Sequence, residues 1–147
     1  MTKFANILVP VDFGAPSRRG LELAVDLARR NGARLTLLHV FDVPVSYAGM
    51  GLSPTELLAP MWDAEQEELD RVLAKVRDEI PEVSRETARG VPWREILAFI
   101  EQRRPDLVVM GTHGRHGVPR ALLGSVAEKI VRLSPCPVLT VRAEDEA

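Results

Sequence analysis

The sequence is short of everything that marks a cross-linked or membrane-spanning chain. Cysteine occurs once, as Cys136. That excludes an internal disulfide and fits a reducing, cytoplasmic setting. Cys136 itself is expected to be a small buried apolar side chain beside the last strand rather than a reactive thiol. No apolar run approaches the roughly 20 residues that cross a bilayer as a helix. The start, MTKFANILV, has one Lys before a strand-like run and no small-residue cleavage site, so no signal peptide is expected. Neither charge is in excess: 19 Lys and Arg face 21 Asp and Glu, a formal net charge of -2. This leaves no electrostatic case for nucleic acid or an anionic membrane as partner. Two common nucleotide motifs are missing as well. There is no Gly-Lys-Ser/Thr, and the segment DFGAPSRRG after the first apolar run holds no Gly-x-Gly-x-x-Gly.

What is present points to one globular domain. The 147 residues are 46% apolar and 27% charged, enough for a sizeable core. Short continuous apolar runs, as in strands covered on both faces, occur at Asn6 to Asp12 and Ala33 to Val40, and DLVVM forms a third. Pro10 removes a ladder donor from the first and is expected to mark its end. Between the first two runs, Ser17 precedes Leu21, Ala24, Val25 and Ala28 at helical spacing, and Gly32 supplies a stop. Residues Phe41 to Pro60 lack period and read as a long loop with one helical turn at PTELL, a ligand lid or partner surface. A helix is expected from Met61 to Glu79 with a stripe of Leu69, Val72, Leu73, Val76 and Ile80. Its cluster Glu65, Glu67, Glu68 and Asp70 reads as a solvated face, not a metal site. Glu82 to Ala88 reads as a weak edge strand. PWREILAFIEQRR reads as a helix with Trp93, Ile96, Leu97 and Ile100 inward, ended by Pro105. Ser125-x-x-Glu128 reads as a capping box opening a last helix with Val126, Ala127, Ile130 and Val131, before a final strand at Val138 to Arg142.

Strand and helix alternate five times, the pattern of an α/β three-layer sandwich on a five-stranded parallel sheet. If the sheet grows outward from strand one in both directions, its order is 3-2-1-4-5. Strands one and four then form the switch point, where open α/β sheets bind ligands at their carboxyl ends. Asp12 follows strand one and GTHGRHGVPRALLGS, Gly111 to Ser125, follows strand four. Glycines allow tight turns and close backbone approach. A helix beginning near Gly124-Ser125 would offer N–H groups to an anion, and Arg115 adds positive charge. A long turn with an ordinary helix cap fits the same residues, so both readings stay open on this ground alone.

The spacing Gly111-x2-Gly114-x9-Gly124-Ser125, with VPVDF at the first strand and SPCPVLTVR at the end, resembles the universal stress protein family in its ATP-binding branch. The resemblance runs from about Phe4 to Arg142. It implies the fold with order 3-2-1-4-5, a nucleotide-binding domain over residues 1–142, and a short acidic tail over 143–147. It implies that Asp12 binds the ribose and that Pro10, Val11 and Val40 line the adenine. Met110, Gly111, Gly114 and Arg115 would border ribose and phosphates, and Gly124, Ser125, Val126 and Ala127 would serve the phosphates. ATP is the implied cofactor, with magnesium or manganese accompanying it through phosphate oxygens. A symmetric homodimer through Val138, Leu139, Thr140 and Val141 is expected, because an apolar edge strand invites pairing.

The function expected is therefore that of an ATP-binding stress-response or regulatory protein, whose nucleotide biases conformation or partner binding. The alternative is a slow ATP hydrolase or nucleotidyl transferase. No residue is assigned a catalytic role, since Asp12 lacks a partner base and the His-x-Gly-His of many adenylyl transferases is absent. Receiver and flavodoxin readings fit poorly. The third strand ends in TARG rather than a phosphoacceptor Asp, and the loop after strand one offers little for phosphate. His113 and His116 lack further ligands at metal spacing. His39 is expected to be a buried or half-buried strand residue.

Overall fold

The structure is a computed structural model that describes residues 3–44, 51, 53–113 and 123–143. The first apolar run forms β1 (Asn6–Pro10), and Pro10, which has no N–H to give, is its last residue. The chain turns into α1 (Ala15–Asn31), which ends on Gly32 in the left-handed region at φ 65. It returns as β2 (Arg34–Asp42) and continues into α2 (Pro54–Arg77). Then follow β3 (Ser84–Gly90), α3 (Pro92–Arg103), β4 (Leu107–Gly111), α4 (Ser125–Leu133) and β5 (Val138–Val141). The strands lie parallel, as the alternation implies, in the order β3-β2-β1-β4-β5 expected for growth outward from β1.

Strand alternation splits the core into two layers. Ile7, Val9, Leu35, Leu37 and Val109 point to one face and pack on Ala24, Val25 and Ala28 of α1 and Leu69, Leu73 and Val76 of α2. Leu8, Leu38, Val108 and Met110 point to the other and meet Ile96 and Ile100 of α3 and Ala127 and Ile130 of α4. Both faces of the sheet are thus covered, which explains the continuous apolar runs in its central strands. Among the described residues, no helix is long and apolar enough to cross a membrane.

Several local expectations are corrected. The segment expected as a loop to Pro60 is shorter, because β2 extends to Asp42 and α2 begins at Pro54. Pro60 lies inside α2, although proline removes one helical hydrogen bond there. Tertiary packing holds the segment: Leu58 and Trp62 are buried against Phe41. Residues 45–50 and 52 of that stretch lie outside the described residues. Glu67, Glu68 and Asp70 lie on the outer side of α2, and the hydrogen bond from Arg71 holds the Glu68 pKa below its usual value. Glu65 departs from the solvated-face reading, with its side chain 14% exposed. Trp93 is only half-buried, with Arg94 and Lys129 lying 5.2 and 5.0 Å over its ring. Val131 is exposed rather than packed inward, and Cys136 is half-buried.

The last helix brings a further correction. Gly124, not Ser125, is the N-cap of α4, no side chain caps it, and Ser125 is the first helical residue. The Ser125–Glu128 capping box is therefore not formed, and Glu128 instead pairs with Arg132 at 3.5 Å.

Candidate functional site at the carboxyl ends of the strands

β1 and β4 are neighbours whose chains leave in opposite directions, so a crevice opens beyond their carboxyl ends. On the β1 side the Val11 N–H still donates to the Leu38 carbonyl at 2.9 Å, extending the ladder by one bond. Asp12 then leaves the sheet. Its N–H donates to the Ser17 hydroxyl oxygen at 3.1 Å, and its Oδ1 accepts the Gly14 N–H at 2.8 Å. Phe13 has φ 68, a conformation unfavourable for a bulky L-residue and most often met where a site over-determines the backbone.

On the β4 side, Gly111 ends the strand beneath the first turn of α1. The Thr112 N–H donates to the Val141 carbonyl at 2.9 Å, and the Thr112 carbonyl accepts the Gly124 N–H at 2.7 Å. The second bond ties the entry of the glycine-rich stretch to its exit and sets the start of α4 beside Gly111. The first N–H groups of a helix have no intrahelical partner. With no side-chain cap on α4, those of its first turn face the crevice with the positive end of the helix dipole.

The resulting cavity measures about 440 Å³, within the usual range for a small-molecule site. Pro10, Val11, Asp12, Val40, Met110, Gly111, Gly124, Ser125, Val126 and Ala127 all line it. Of the residues chosen from the sequence, Gly114 and Arg115 lie outside the described residues, as do His116 and 144–147 of the acidic tail. The cavity also takes in residues that sequence reasoning did not select, notably Ser17, His39, Asp42, Met61, Glu65 and Thr112. His39 is buried as expected, with Nδ1 2.7 Å from the Val11 carbonyl oxygen and Nε2 3.5 Å from Glu65 Oε2. Its place near the end of the apolar run of β2 indicated its burial, but nothing local indicated its link to Val11 or to α2. A second hollow, about 480 Å³, lies at the opposite ends of the strands, among Asn6, Arg34, Thr36, Ser84, Phe99 and Arg103. Parallel sheets do not use that end for ligands as a rule. Arg103 is moreover engaged with Glu86 at 3.1 Å.

Chemically, the cavity joins a carboxylate on one side to an uncapped helix terminus on the other, with apolar walls between. It suits an amphiphilic ligand with hydrogen-bonding groups, an apolar part and an anionic end. Among the described residues, no group of three or more His, Cys, Asp or Glu is arranged to hold a metal ion.

The model described as "Universal stress protein family" matches residues 3–142. Universal stress protein MJ0531 of Methanocaldococcus jannaschii is 32% identical over 140 residues, covering 95% of this chain and 82% of that one. Universal stress protein YxiE of Bacillus subtilis is 33% identical over 147 residues, covering 95% and 99%. The solved structure of universal stress protein UspA from Lactobacillus plantarum superimposes with a TM-score of 0.83 at 27% identity, covering 97% of this chain and 100% of that one. Two more distant structures share the fold. One is an Arabidopsis thaliana family member with AMP bound, at 20% identity, TM-score 0.70 and coverage of 97% and 94%. The other is a universal stress protein in complex with cAMP, at 19% identity, TM-score 0.69 and coverage of 97% and 100%.

Proposed function

Because the chain belongs to the universal stress protein family, we propose that its cavity is an adenine-nucleotide site and that ATP occupancy modulates conformation or partner binding. One observation carries this reading. Asp12 and the start of α4 lie far apart in the sequence, yet they line a single hollow of nucleotide size. The AMP and cAMP found in two proteins of the same fold support an adenylate as the common ligand.

In this reading Asp12 accepts hydrogen bonds from the ribose hydroxyls. Pro10, Val11 and Val40 flank the base. Met110 and Gly111 border the ribose, with Gly114 and Arg115 beyond them toward the phosphates. Gly124, Ser125, Val126 and Ala127 receive the phosphates at the α4 terminus. A magnesium or manganese ion would be held chiefly by phosphate oxygens. Met61 and Glu65 bring α2 to the cavity wall, so a ligand touching them can bias how α2 packs. Such a bias requires unequal affinity for two arrangements.

The same reading includes a homodimer through β5. This strand is an edge of the sheet, and Leu139 is its exposed apolar residue. The experiment is to release the small molecules held by freshly purified protein, identify them by mass, and then follow ATP over time. An adenine nucleotide without turnover is expected. Turnover that Asp12→Asn abolishes would favour the slow-hydrolase alternative, and a non-nucleotide ligand would overturn the reading.

A further inference from the structure

The described residues include three buried polar side chains: Ser17, His39 and Thr112. Two of them converge on one peptide unit. The carbonyl of Val11 lies 2.7 Å from His39 Nδ1, and the N–H of the following residue, Asp12, donates to the Ser17 hydroxyl at 3.1 Å. A carbonyl can only accept, so His39 Nδ1 carries the proton and donates. Both ends of the Val11–Asp12 peptide are therefore held by side chains that are themselves about 3% exposed. Buried polar groups are costly unless hydrogen-bonded, so these two contacts set the plane of the peptide firmly.

The clamp continues past Asp12. Phe13 adopts φ 68, and its ring lies 4.7 Å from the His39 ring. His39 thus touches the chain on both sides of Asp12. Gly14 donates to Asp12 Oδ1 at 2.8 Å, which sets the carboxylate relative to that backbone. From these contacts we infer that His39 and Ser17 are positioning residues, which act through the Val11–Asp12 peptide to aim the Asp12 carboxylate at the vicinal hydroxyls of a nucleotide ribose. The inference rests on the nucleotide reading above and adds how that site distinguishes a ribonucleotide from an analogue without hydroxyls.

The test compares ATP with 2′,3′-dideoxy-ATP by calorimetry, with thermal denaturation of each variant alongside. Wild type is expected to prefer ATP by about tenfold or more, the scale of one charge-assisted hydrogen bond. In His39→Asn the amide retains a donor at the Nδ1 position, and the preference should survive. In His39→Gln the donor moves away from the Val11 carbonyl, and the preference should fall to about threefold or less. Ser17→Thr and Ser17→Ala form a second, independent pair, with the hydroxyl kept and lost. A purely structural role would weaken both nucleotides equally and leave their ratio unchanged. An unchanged ratio in His39→Gln and Ser17→Ala, with wild type discriminating, overturns the clamp and leaves the nucleotide site standing. Wild type that binds neither compound overturns the site and the clamp together.

Discussion

A β-carbon on Gly111 would stand 2.7 Å from the carbonyl carbon of Pro16, closer than side-chain atoms normally approach a backbone. The last residue of β4 is thus glycine because the first turn of α1 presses on it, before any ligand is considered. Gly111→Ala should lower stability by about 1–3 kcal/mol, as overpacking does. Gly20 is the control. A β-carbon there meets the Met110 backbone at 3.5 Å, an ordinary contact. Gly20→Ala should be neutral or stabilising by up to about 1 kcal/mol, since alanine restricts the unfolded chain. Denaturant unfolding of the two variants checks both.

Asp12→Asn keeps an oxygen for the Gly14 N–H but loses the charge. Nucleotide affinity should fall about tenfold or more, while the melting temperature barely moves. Calorimetry with parallel thermal scans separates these two effects. A large drop in stability would assign Asp12 mainly to the loop rather than to a ligand.

β5 lies at the sheet edge with Leu139 exposed. Light scattering of wild type should give twice the 16.3 kDa monomer mass. Leu139→Glu should shift the protein toward the monomer by placing like charges opposite one another across a two-fold axis.

α2 buries Leu69 fully and leaves Leu57 exposed. Leu69→Ala should cost about 2–5 kcal/mol, the usual range for a core leucine. Leu57→Ala should stay within about 0.5 kcal/mol of wild type. Equal effects would mean that α2 packs on the sheet by a different face.

What the sequence made legible follows from local physics. Apolar runs located the central strands, Gly32 located the end of α1, and the alternation of strand and helix indicated a parallel sheet, whose order matches growth outward from β1 in both directions. What it hid depends on contacts between distant segments. Pro60 argues locally against a helix, and the burial of Leu58 and Trp62 on Phe41 overrides it. Ser125 and Glu128 have capping-box spacing, yet the Thr112–Gly124 hydrogen bond accompanies a helix start in which Gly124 takes the cap. Glu65 lies among acids that suggest solvent, and only the packing of α2 on β2 brings it to His39. At the site, the family resemblance named residues that line the cavity. The support behind them was hidden, because His39 and Val11 are 28 residues apart and nothing in either neighbourhood predicts their bond.

The most direct measurement is a calorimetric titration of nucleotide-stripped protein with ATP, ADP and AMP. Saturable binding of one nucleotide per chain is predicted, with the three competing for a single site and Asp12→Asn weakening each. Failure of all three to saturate by about 1 mM, a binding free energy weaker than about -4 kcal/mol, would contradict an adenine-nucleotide site at the ends of β1 and β4.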